Sequence, residues 1–353
     1  MNMEYKILYV EDLVAHSLED NLKRQGYNVT TNDADNFEGL LNALNQNFDA
    51  YVLDFRLTAN KGRLDAPAIA QAIRTQGNNH KDTPIILISN EDKLKEFDKD
   101  LTSQDLFDFA ISKTIFRDKV EKYSKRINSF IEAYKTIKNA NCQLDVILKV
   151  TPEEIGTFID YRLLDKINSE KIKDDIYANC RFINVSLIRG IGILIGSDVL
   201  SARLGVDKES KDWEKLLEVL RPYKYNGILS DSYDRWWSEK ILTWWSSIVD
   251  DVSLRRTTAE KRVGILKEKL NLDLTPLSTL QLANSTYFWT ICMETKKALD
   301  PNEGFIINKK EYFPWQEMEY LSLYGALEQS DYRKFLSPTD RNEIRNIETH
   351  GAL

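Results

Sequence analysis

Short apolar runs alternate with helix-like segments over the first 140 residues, and this alternation constrains the fold more than any other feature of the chain. Five runs have the length and composition of buried strands. They cover residues 6–10, 27–31, 50–53, 84–88 and 107–111. Strands that alternate with helices form a parallel sheet covered on both faces, and right-handed crossovers favour the doubly wound arrangement. We therefore predict an α/β fold with a five-stranded parallel sheet in the strand order 2-1-3-4-5.

The segments between these runs have the apolar spacing of helices. Gly26 is placed to end the first of them, and Pro67 fits the first turn of the third. The predicted helices cover residues 15–25, 36–45, 65–74, 94–101 and 116–138. Five helices that alternate with five strands complete the pattern of a doubly wound domain.

The pattern changes near residue 140, where helical periodicity replaces the alternation. Thr151 and Pro152 indicate a helix start, because Thr is a good N-cap and Pro is tolerated at the first helical position. Helical spacing covers residues 151–169, 174–188, 212–220, 257–270 and 277–299, whereas 185–195 fits a strand or a helix. We predict a first domain over residues 1–140 and a mostly α-helical second domain over residues 141–353.

The composition of the chain excludes several classes of protein. A net charge of −7 argues against broad nonspecific binding to nucleic acid, which needs a basic face. The three cysteines lie far apart, which excludes a local thiolate zinc site and a disulfide framework and fits a reducing cytosol. With three histidines in the chain, a multi-histidine metal site is also excluded. The most apolar stretch is too short to span a bilayer and the chain starts without a signal-peptide pattern, so we expect a cytoplasmic protein with no membrane partner.

Carboxylates, a hydroxyl and an ammonium stand within two residues of the ends of four of the predicted strands. They are Glu11 and Asp12 after the first strand, Asp54 after the third, Ser89 after the fourth and Lys113 after the fifth. Functional residues of a doubly wound sheet lie at this carboxyl edge. Three neighbouring carboxylates repel one another unless a cation binds, and hard oxygen ligands suit Mg²⁺. Asp54 could then act as a nucleophile and form an acyl phosphate, whose oxygens the metal and Lys113 would neutralise.

This set of residues resembles the receiver domain of two-component response regulators, the CheY-like family, which has a flavodoxin-like fold. The resemblance covers about residues 4–140. It depends on the pair Glu11-Asp12 and on Asp54, Gly62, Ser89 and Lys113, which match the family in order and approximate spacing. It implies phosphorylation of Asp54 by a phosphohistidine on a sensor histidine kinase or phosphotransfer protein of a bacterial signalling pathway. Ser89 and Lys113 would then contact the phosphoryl group and switch the domain.

The resemblance also implies a ligand set for the metal. Mg²⁺ would be bound by Asp12, Asp54 and the backbone carbonyl of Arg56, and Glu11 would support it through water.

Four positions depart from the family's pattern. The position three before Lys113 usually holds Tyr or Phe, the aromatic residue that moves on activation, and here it holds Ala110. Thr58 and Thr114 stand where the family prefers proline, and Asn90 stands where it prefers a small residue. The residues for phosphorylation chemistry are therefore present, while the face that transmits the signal is unusual.

The second half contains no recognisable catalytic motif. Residues 201–206 have the spacing of a helix-turn-helix turn, but the helix that follows is acidic, which argues against DNA binding. All seven tryptophans lie between Trp213 and Trp315, and four of them fall in the segment 235–247. We interpret that segment as a core helix whose Trp237, Trp244 and Trp245 share one face. The alternative is an exposed aromatic patch for a downstream protein partner or for a second copy in a homodimer.

Three hypotheses about function stay open on the sequence. The first is a response regulator that signals through protein contacts of its C-terminal half. The second is a phosphate sink or buffer in a phosphorelay, such as one in phage defence, because the switch aromatic is substituted. The third is a receiver that controls an effector enzyme or a DNA-binding regulator in the second half. Beyond the receiver's own phosphorylation and dephosphorylation, no enzymatic activity is predicted.

Overall fold

The computed structural model describes residues 4–11, 16–32, 46–55, 57, 65–75, 79–99, 102–309, 311–328 and 330–350. The chain divides into two units. The first comprises Met1–Lys149, Ile167–Phe182 and Gly227–Ser232, and the second comprises Val150–Lys166, Ile183–Asn226 and Tyr233–Leu353. The first unit thus takes in two segments from beyond residue 149, and the domain division at residue 140 stays a prediction.

A five-stranded parallel sheet forms the centre of the first unit. Its strands are β1 (Lys6–Val10), β2 (Asn28–Asn32), β3 (Ala50–Leu53), β4 (Ile85–Ser89) and β5 (Phe109–Ser112), in the order β2-β1-β3-β4-β5. In register, Ile7 of β1 pairs with Val29 on one side and with Ala50 on the other. The predicted α/β fold, its doubly wound sheet and its strand order are confirmed.

The central strands are buried on both faces, as a parallel sheet between helices requires. Every residue of β3 and β4 is buried, and in β1 only Lys6 is exposed. Apolar side chains of one face pack with Ile69, Ile73 and Phe97 from the flanking helices. Each fully buried aliphatic or aromatic side chain contributes about 1.5–3 kcal/mol. The strands therefore hold the polar residues at their ends in fixed positions.

Helices accompany the sheet along the first 149 residues. They are α1 (His16–Arg24), α2 (Ala66–Thr75), α3 (Glu91–Phe97), α4 (Lys113–Asp118), α5 (Val120–Asn139) and α6 (Leu144–Leu148), with 3₁₀ turns at Asn79–Asp82 and Gln104–Leu106. The helix predicted over residues 36–45 lies outside the described residues. The helix predicted over residues 94–101 starts earlier, at Glu91, because extended Asn90 forms its N-cap directly after β4.

The prediction of one helix over residues 116–138 is wrong, because α4 and α5 are separate helices. The side chain of Ser112 accepts a hydrogen bond from the backbone N–H of Ile115 at 3.0 Å and so caps α4 immediately after β5. Lys119 then has φ −133° and ψ 42°, which interrupt the helical backbone. Lys113 consequently occupies the first turn of α4, at the carboxyl edge of the sheet.

A buried ion pair lies where β4 and β5 begin, at the opposite end of these strands from Ser89 and Lys113. The guanidinium of Arg74 is 3.0 Å from the carboxylate of Asp108, which also accepts hydrogen bonds from the backbone N–H of Ile85 and the hydroxyl of Tyr134, both at 2.8 Å. Arg74 also lies 3.9 Å from the ring centroid of Tyr177. Burial raises the pKa of Asp108, and the charge of Arg74 opposes that change. The pair thus fastens α2, β4 and α5 to one another.

Helices account for most of the regular structure after residue 149. They are α7 (Pro152–Phe158), α8 (Tyr161–Ile167), α9 (Ile176–Ile183), α10 (Ser197–Leu204), α11 (Trp213–Val219), α12 (Ser238–Ile248), α13 (Ala259–Leu270), α14 (Leu323–Leu327) and α15 (Pro338–His350), with a π-helical turn at Asn184–Ile188. Short 3₁₀ turns lie at Arg221–Tyr223, Leu254–Arg256, Pro301–Glu303 and Asp331–Phe335. The predicted start at Thr151 is confirmed by a capping box between Thr151 and Glu154. The mostly helical character predicted for this part of the chain is confirmed.

Three small antiparallel strand pairs also occur after residue 149. They are β6 (Leu194–Ile195) with β7 (Trp236–Trp237), β8 (Thr290–Ile291) with β9 (Ala298–Leu299), and β10 (Gly304–Ile306) with β11 (Tyr320–Ser322). The helix predicted over residues 277–299 is therefore wrong. Leu282 and Lys296 have positive φ values of 63° and 58°, which interrupt a helix. The apolar residues of this segment are shared between two clusters, because Leu280 belongs to one and Phe288 to another.

The tryptophan-rich segment forms part of the core of the second unit. Trp236 and Trp237 lie in β7, and the helix begins only at Ser238. The prediction that Trp237 belongs to this helix and shares a face with Trp244 and Trp245 is therefore wrong. Trp236, Trp237, Trp244 and Trp245 are nevertheless all buried, and the least buried of them is 5% exposed. The interpretation of these tryptophans as core residues is confirmed. Within the described ranges, no helix is both long and apolar enough to cross a membrane.

Candidate functional site

Asp54 follows β3 directly and is fully buried. One carboxylate oxygen, Oδ1, accepts hydrogen bonds from the backbone N–H of Phe55 at 2.7 Å and from the hydroxyl of Ser89. The other, Oδ2, accepts a hydrogen bond from Nζ of Lys113 at 2.9 Å. Three donors from three different segments thus converge on one carboxylate at the carboxyl edge of the sheet.

The strand register explains why these donors meet. Ser89 is the last residue of β4, and it pairs in register with Ser112, the last residue of β5. Lys113 comes next along the chain, in the capped first turn of α4. Because β3, β4 and β5 are adjacent and parallel, their carboxyl ends lie side by side.

Glu11 follows β1 and is 2% exposed. Its Oε2 accepts hydrogen bonds from the hydroxyl of Tyr9 at 2.5 Å and from Nζ of Lys113. Its Oε1 is buried and has no hydrogen-bond partner among the described residues. Lys113 therefore bridges the carboxylates of Glu11 and Asp54, and one oxygen of Glu11 is left with unused acceptor capacity.

The pKa values of the two carboxylates are shifted in opposite directions. Burial raises the pKa of Glu11, although hydrogen bonds from Lys113 and Tyr9 oppose this change. Burial by itself would also raise the pKa of Asp54, but the hydrogen bond from Ser89 and the charge of Lys113 outweigh it and hold that pKa below its usual value. Asp54 is therefore ionised at neutral pH, as a nucleophilic carboxylate must be.

Lys93 also reaches the site, and the sequence reasoning missed it. It lies in α3, the helix that follows β4, and its Nζ is 3.5 Å from Oδ2 of Asp54. Its side chain is 27% exposed, so it approaches the site from the solvent side. The signal in the sequence was its position four residues after Ser89, since the first turn of a helix that follows a strand stays near the carboxyl edge of the sheet. Two ammonium groups therefore lie against one carboxylate.

The carboxylate oxygens at this site are suitable ligands for a hard cation, although the structure describes only some of the predicted metal ligands. Asp12 and Arg56 lie outside the described residues, as do Gly62 and Thr58. In the parts of the chain that the structure describes, no group of three or more His, Cys, Asp or Glu side chains could hold a metal ion. Glu11 and Asp54 nevertheless supply carboxylate oxygens, and the buried Oε1 of Glu11 has no hydrogen-bond partner in those parts. Carboxylate oxygens of this kind suit Mg²⁺.

A small, exposed residue occupies the position where the family usually holds an aromatic switch residue. Ala110 is the one exposed residue of β5. The neighbouring Phe109 is buried, and its ring packs against Phe130 of α5 with the ring centroids 5.5 Å apart. Phe107 is also buried and packs edge-on against Phe97 at 5.3 Å. Neither aromatic side chain is thus free to take the place of a residue at position 110.

No protein family model matches the sequence. Solved structures similar to this chain include response-regulator receiver domains, which match about the first 35% of it. The response regulator TrrA of Thermotoga maritima, solved in complex with Mg²⁺-BeF, is 24% identical with a TM-score of 0.29, and the match covers 35% of this chain and 99% of that one. A chemotaxis response regulator of Vibrio cholerae is 20% identical with a TM-score of 0.30, over 35% of this chain and 99% of its own. A CheY-like receiver domain of Methylobacillus flagellatus is 20% identical with a TM-score of 0.28, again over 35% and 99%.

Proposed function

We propose that this protein accepts a phosphoryl group on Asp54 from a phosphohistidine of a sensor histidine kinase or a phosphotransfer protein, in a Mg²⁺-dependent reaction. The observation that carries the proposal is the convergence of Ser89 and Lys113 on the two oxygens of a buried, ionised carboxylate. A carboxylate with only a structural role would not need donors from three segments placed around it at the open edge of the sheet.

The chemistry is a substitution at phosphorus. An oxygen of Asp54 forms a bond to phosphorus while the bond between phosphorus and the imidazole nitrogen of the donor breaks, and the imidazole leaves with the electron pair and takes up a proton. Lys113 neutralises the phosphoryl oxygens, and the hydroxyl of Ser89 donates a hydrogen bond to one of them. Residues Glu11 and Asp54, with Asp12 and the carbonyl of Arg56, would hold Mg²⁺, which supplies further positive charge against those oxygens.

Lys93 adds a second ammonium to this site. At 3.5 Å from Oδ2 of Asp54, it is within reach of a phosphoryl group attached to that oxygen. Because it belongs to α3, a contact between Lys93 and the phosphoryl group would couple phosphorylation directly to this helix. We propose this contact as the route by which the domain responds, since position 110 has no aromatic side chain.

The second part of the chain is proposed to transmit the signal through contacts with a downstream protein. The alternative is that the chain acts as a phosphate sink or buffer in a phosphorelay. The alternative is favoured by one observation, the exposed Ala110 in place of an aromatic switch. The two functions differ in whether phosphorylation changes the binding of a downstream protein.

The proposal is tested by incubating the purified chain with Mg²⁺ and acetyl phosphate and recording its intact mass. We expect a gain of one phosphoryl group that is lost in Asp54→Asn and after addition of EDTA. Asp92→Asn is the matched control, because Asp92 also follows Ser89 closely but its side chain is 96% exposed and pairs with Lys95. A gain that persists in Asp54→Asn would overturn the proposal.

A further inference from the structure

The second unit contains an open cavity of about 570 Å³ that has no part in the receiver chemistry. Its lining includes two guanidinium groups, two aromatic rings and two polar side chains, from Arg255, Arg256, Tyr287, Trp289, Asp300 and Asn302. A volume of this size lies within the range of small-molecule sites, which is roughly 300–1,000 Å³.

The two arginines are not neutralised by acids within the described parts of the chain. Arg255 and Arg256 end the 3₁₀ turn Leu254–Arg256, are both exposed, and form no ion pair there. The one acidic residue of the lining, Asp300, accepts hydrogen bonds from the hydroxyl of Ser285 and from the backbone N–H of Asn302 at 2.9 Å, and its single negative charge is outnumbered by the two guanidiniums. The cavity therefore presents positive charge that an anion would balance.

A buried arginine lies next to the two aromatic residues of the lining and adds a further positive charge. Arg262 is fully buried, and its Nη1 donates to the carbonyl of Phe288 at 2.8 Å, between the two aromatic residues of the lining. Its Nε and Nη2 are buried and have no hydrogen-bond partner among the described residues. Burial lowers the pKa of Arg262 to about 10, so the group is charged at neutral pH. The charges of Asp300 and Glu260 favour the charged form of Arg262, but its buried Nε and Nη2 donors have no hydrogen-bond partner in the described structure, which is costly.

The aromatic residues add a flat surface to the cavity. The ring of Tyr287 is exposed, with 45% of the residue accessible. The guanidiniums of Arg203 and Arg255 lie 4.4 Å and 5.1 Å from the centroid of the Trp289 ring. Trp289 is 6% exposed, and its Nε1 is buried with no hydrogen-bond partner in the described structure. A ligand with both a planar ring and anionic groups would use the exposed ring of Tyr287 together with the guanidiniums of the lining.

We infer that this cavity binds a nucleotide, with the phosphate groups at Arg255 and Arg256 and the base against the ring of Tyr287. The planar fork of arginine matches phosphate oxygens in a bidentate geometry. Stacking on an aromatic side chain is available to every base, because each base has a π-face. The inference does not rest on the proposed phosphorylation of Asp54, since it uses only residues of the second unit.

The test is isothermal titration calorimetry of the full chain with ADP, adenosine and pyrophosphate in Mg²⁺-free buffer. We expect ADP to bind more tightly than either adenosine or pyrophosphate. Arg255→Gln and Arg256→Gln should each weaken ADP binding by about tenfold, which is the effect of losing one charge-assisted hydrogen bond. Tyr287→Ala should weaken ADP binding and leave pyrophosphate binding unchanged.

Arg221→Gln is the matched control, because Arg221 is an exposed arginine of the same unit that pairs with Glu218, and it should bind ADP as the unchanged chain does. Asp54→Asn should also bind ADP normally, which separates this site from the receiver chemistry. Thermal denaturation of each variant shows that it folds. Absence of ADP binding at millimolar concentration, or binding that survives both arginine substitutions, would overturn the inference. Equal affinity for pyrophosphate and ADP would overturn the assignment of the base to Tyr287.

Discussion

Nζ of Lys93 lies 3.5 Å from Oδ2 of Asp54, which places a residue of α3 in direct contact with the proposed phosphoryl acceptor. Lys113, in the first turn of α4, contacts the same oxygen at 2.9 Å. The two ammonium groups belong to the helices that follow adjacent strands. Any group added to Asp54 therefore meets positive charge from both helices.

Lys93→Gln should weaken binding of the phosphoryl analogue beryllofluoride, because the variant loses a charge beside Asp54. The Lys93 side chain is partly exposed, so solvent screens the interaction and we expect an effect of about 1 kcal/mol, or roughly fivefold in affinity. Lys95→Gln is the control, since Lys95 lies on the same helix, is 72% exposed and pairs with Asp92. Fluorescence titration with beryllofluoride in the presence of Mg²⁺ measures both. Equal affinities for the two variants would show that Lys93 has no role at the site.

Ser89→Ala should slow phosphorylation of Asp54 by acetyl phosphate by about a hundredfold, because the hydroxyl that contacts Oδ1 and would donate to the phosphoryl group is lost. Ser89→Thr keeps a hydroxyl at this position and should restore most of the rate. The measurement is the rate of mass gain by intact-protein mass spectrometry. If Ser89→Ala reacted as fast as the unchanged chain, the hydroxyl would have no part in the transfer.

Glu11→Gln should raise the Mg²⁺ concentration needed for phosphorylation. Glu11 has a buried oxygen without a hydrogen-bond partner in the described structure, and an amide in its place would support the cation less well. We expect an increase of about tenfold, as is typical when a group that supports a metal site is lost. The rate of phosphorylation measured across a Mg²⁺ series gives this value. Glu96→Gln on α3 is the control and should leave the Mg²⁺ dependence unchanged.

Asp108→Asn should destabilise the first unit, because it leaves the buried guanidinium of Arg74 without its carboxylate partner. Removing one partner of a buried ion pair costs about 3–5 kcal/mol. Urea denaturation followed by circular dichroism measures the change in the free energy of unfolding. Asp98→Asn replaces an exposed acid near the end of α3 and should change stability little. A loss below about 1 kcal/mol in Asp108→Asn would contradict the structural role of the pair.

The inner strands could be predicted from the sequence because β1, β3 and β4 are short apolar runs that are buried on both faces. The positions of Glu11, Asp54, Ser89 and Lys113 followed from the predicted runs, since each residue stands within two residues of the end of one of them. Lys93 could not be predicted in this way, because its reach depends on where α3 starts, and Asn90 sets that start by its extended backbone.

The second unit was harder to predict because apolar residues that are close in its sequence do not all lie on one face of a single helix or strand. Leu280 and Phe288 lie in different buried clusters, although their spacing in the sequence fits one helix. Trp237 likewise belongs to a short strand that pairs with Leu194, a partner more than forty residues away in the sequence. Such pairings depend on long-range packing, which local periodicity does not record.

The most direct test of the account is to locate the phosphoryl group. The chain is treated with a phosphorylated histidine kinase or with acetyl phosphate in Mg²⁺, reduced with borohydride, which converts an aspartyl phosphate to homoserine, and analysed by tandem mass spectrometry. We expect homoserine at position 54 and at no other aspartate. Homoserine at a different position would contradict this expectation. So would the absence of homoserine from a sample whose intact mass shows the gain of a phosphoryl group.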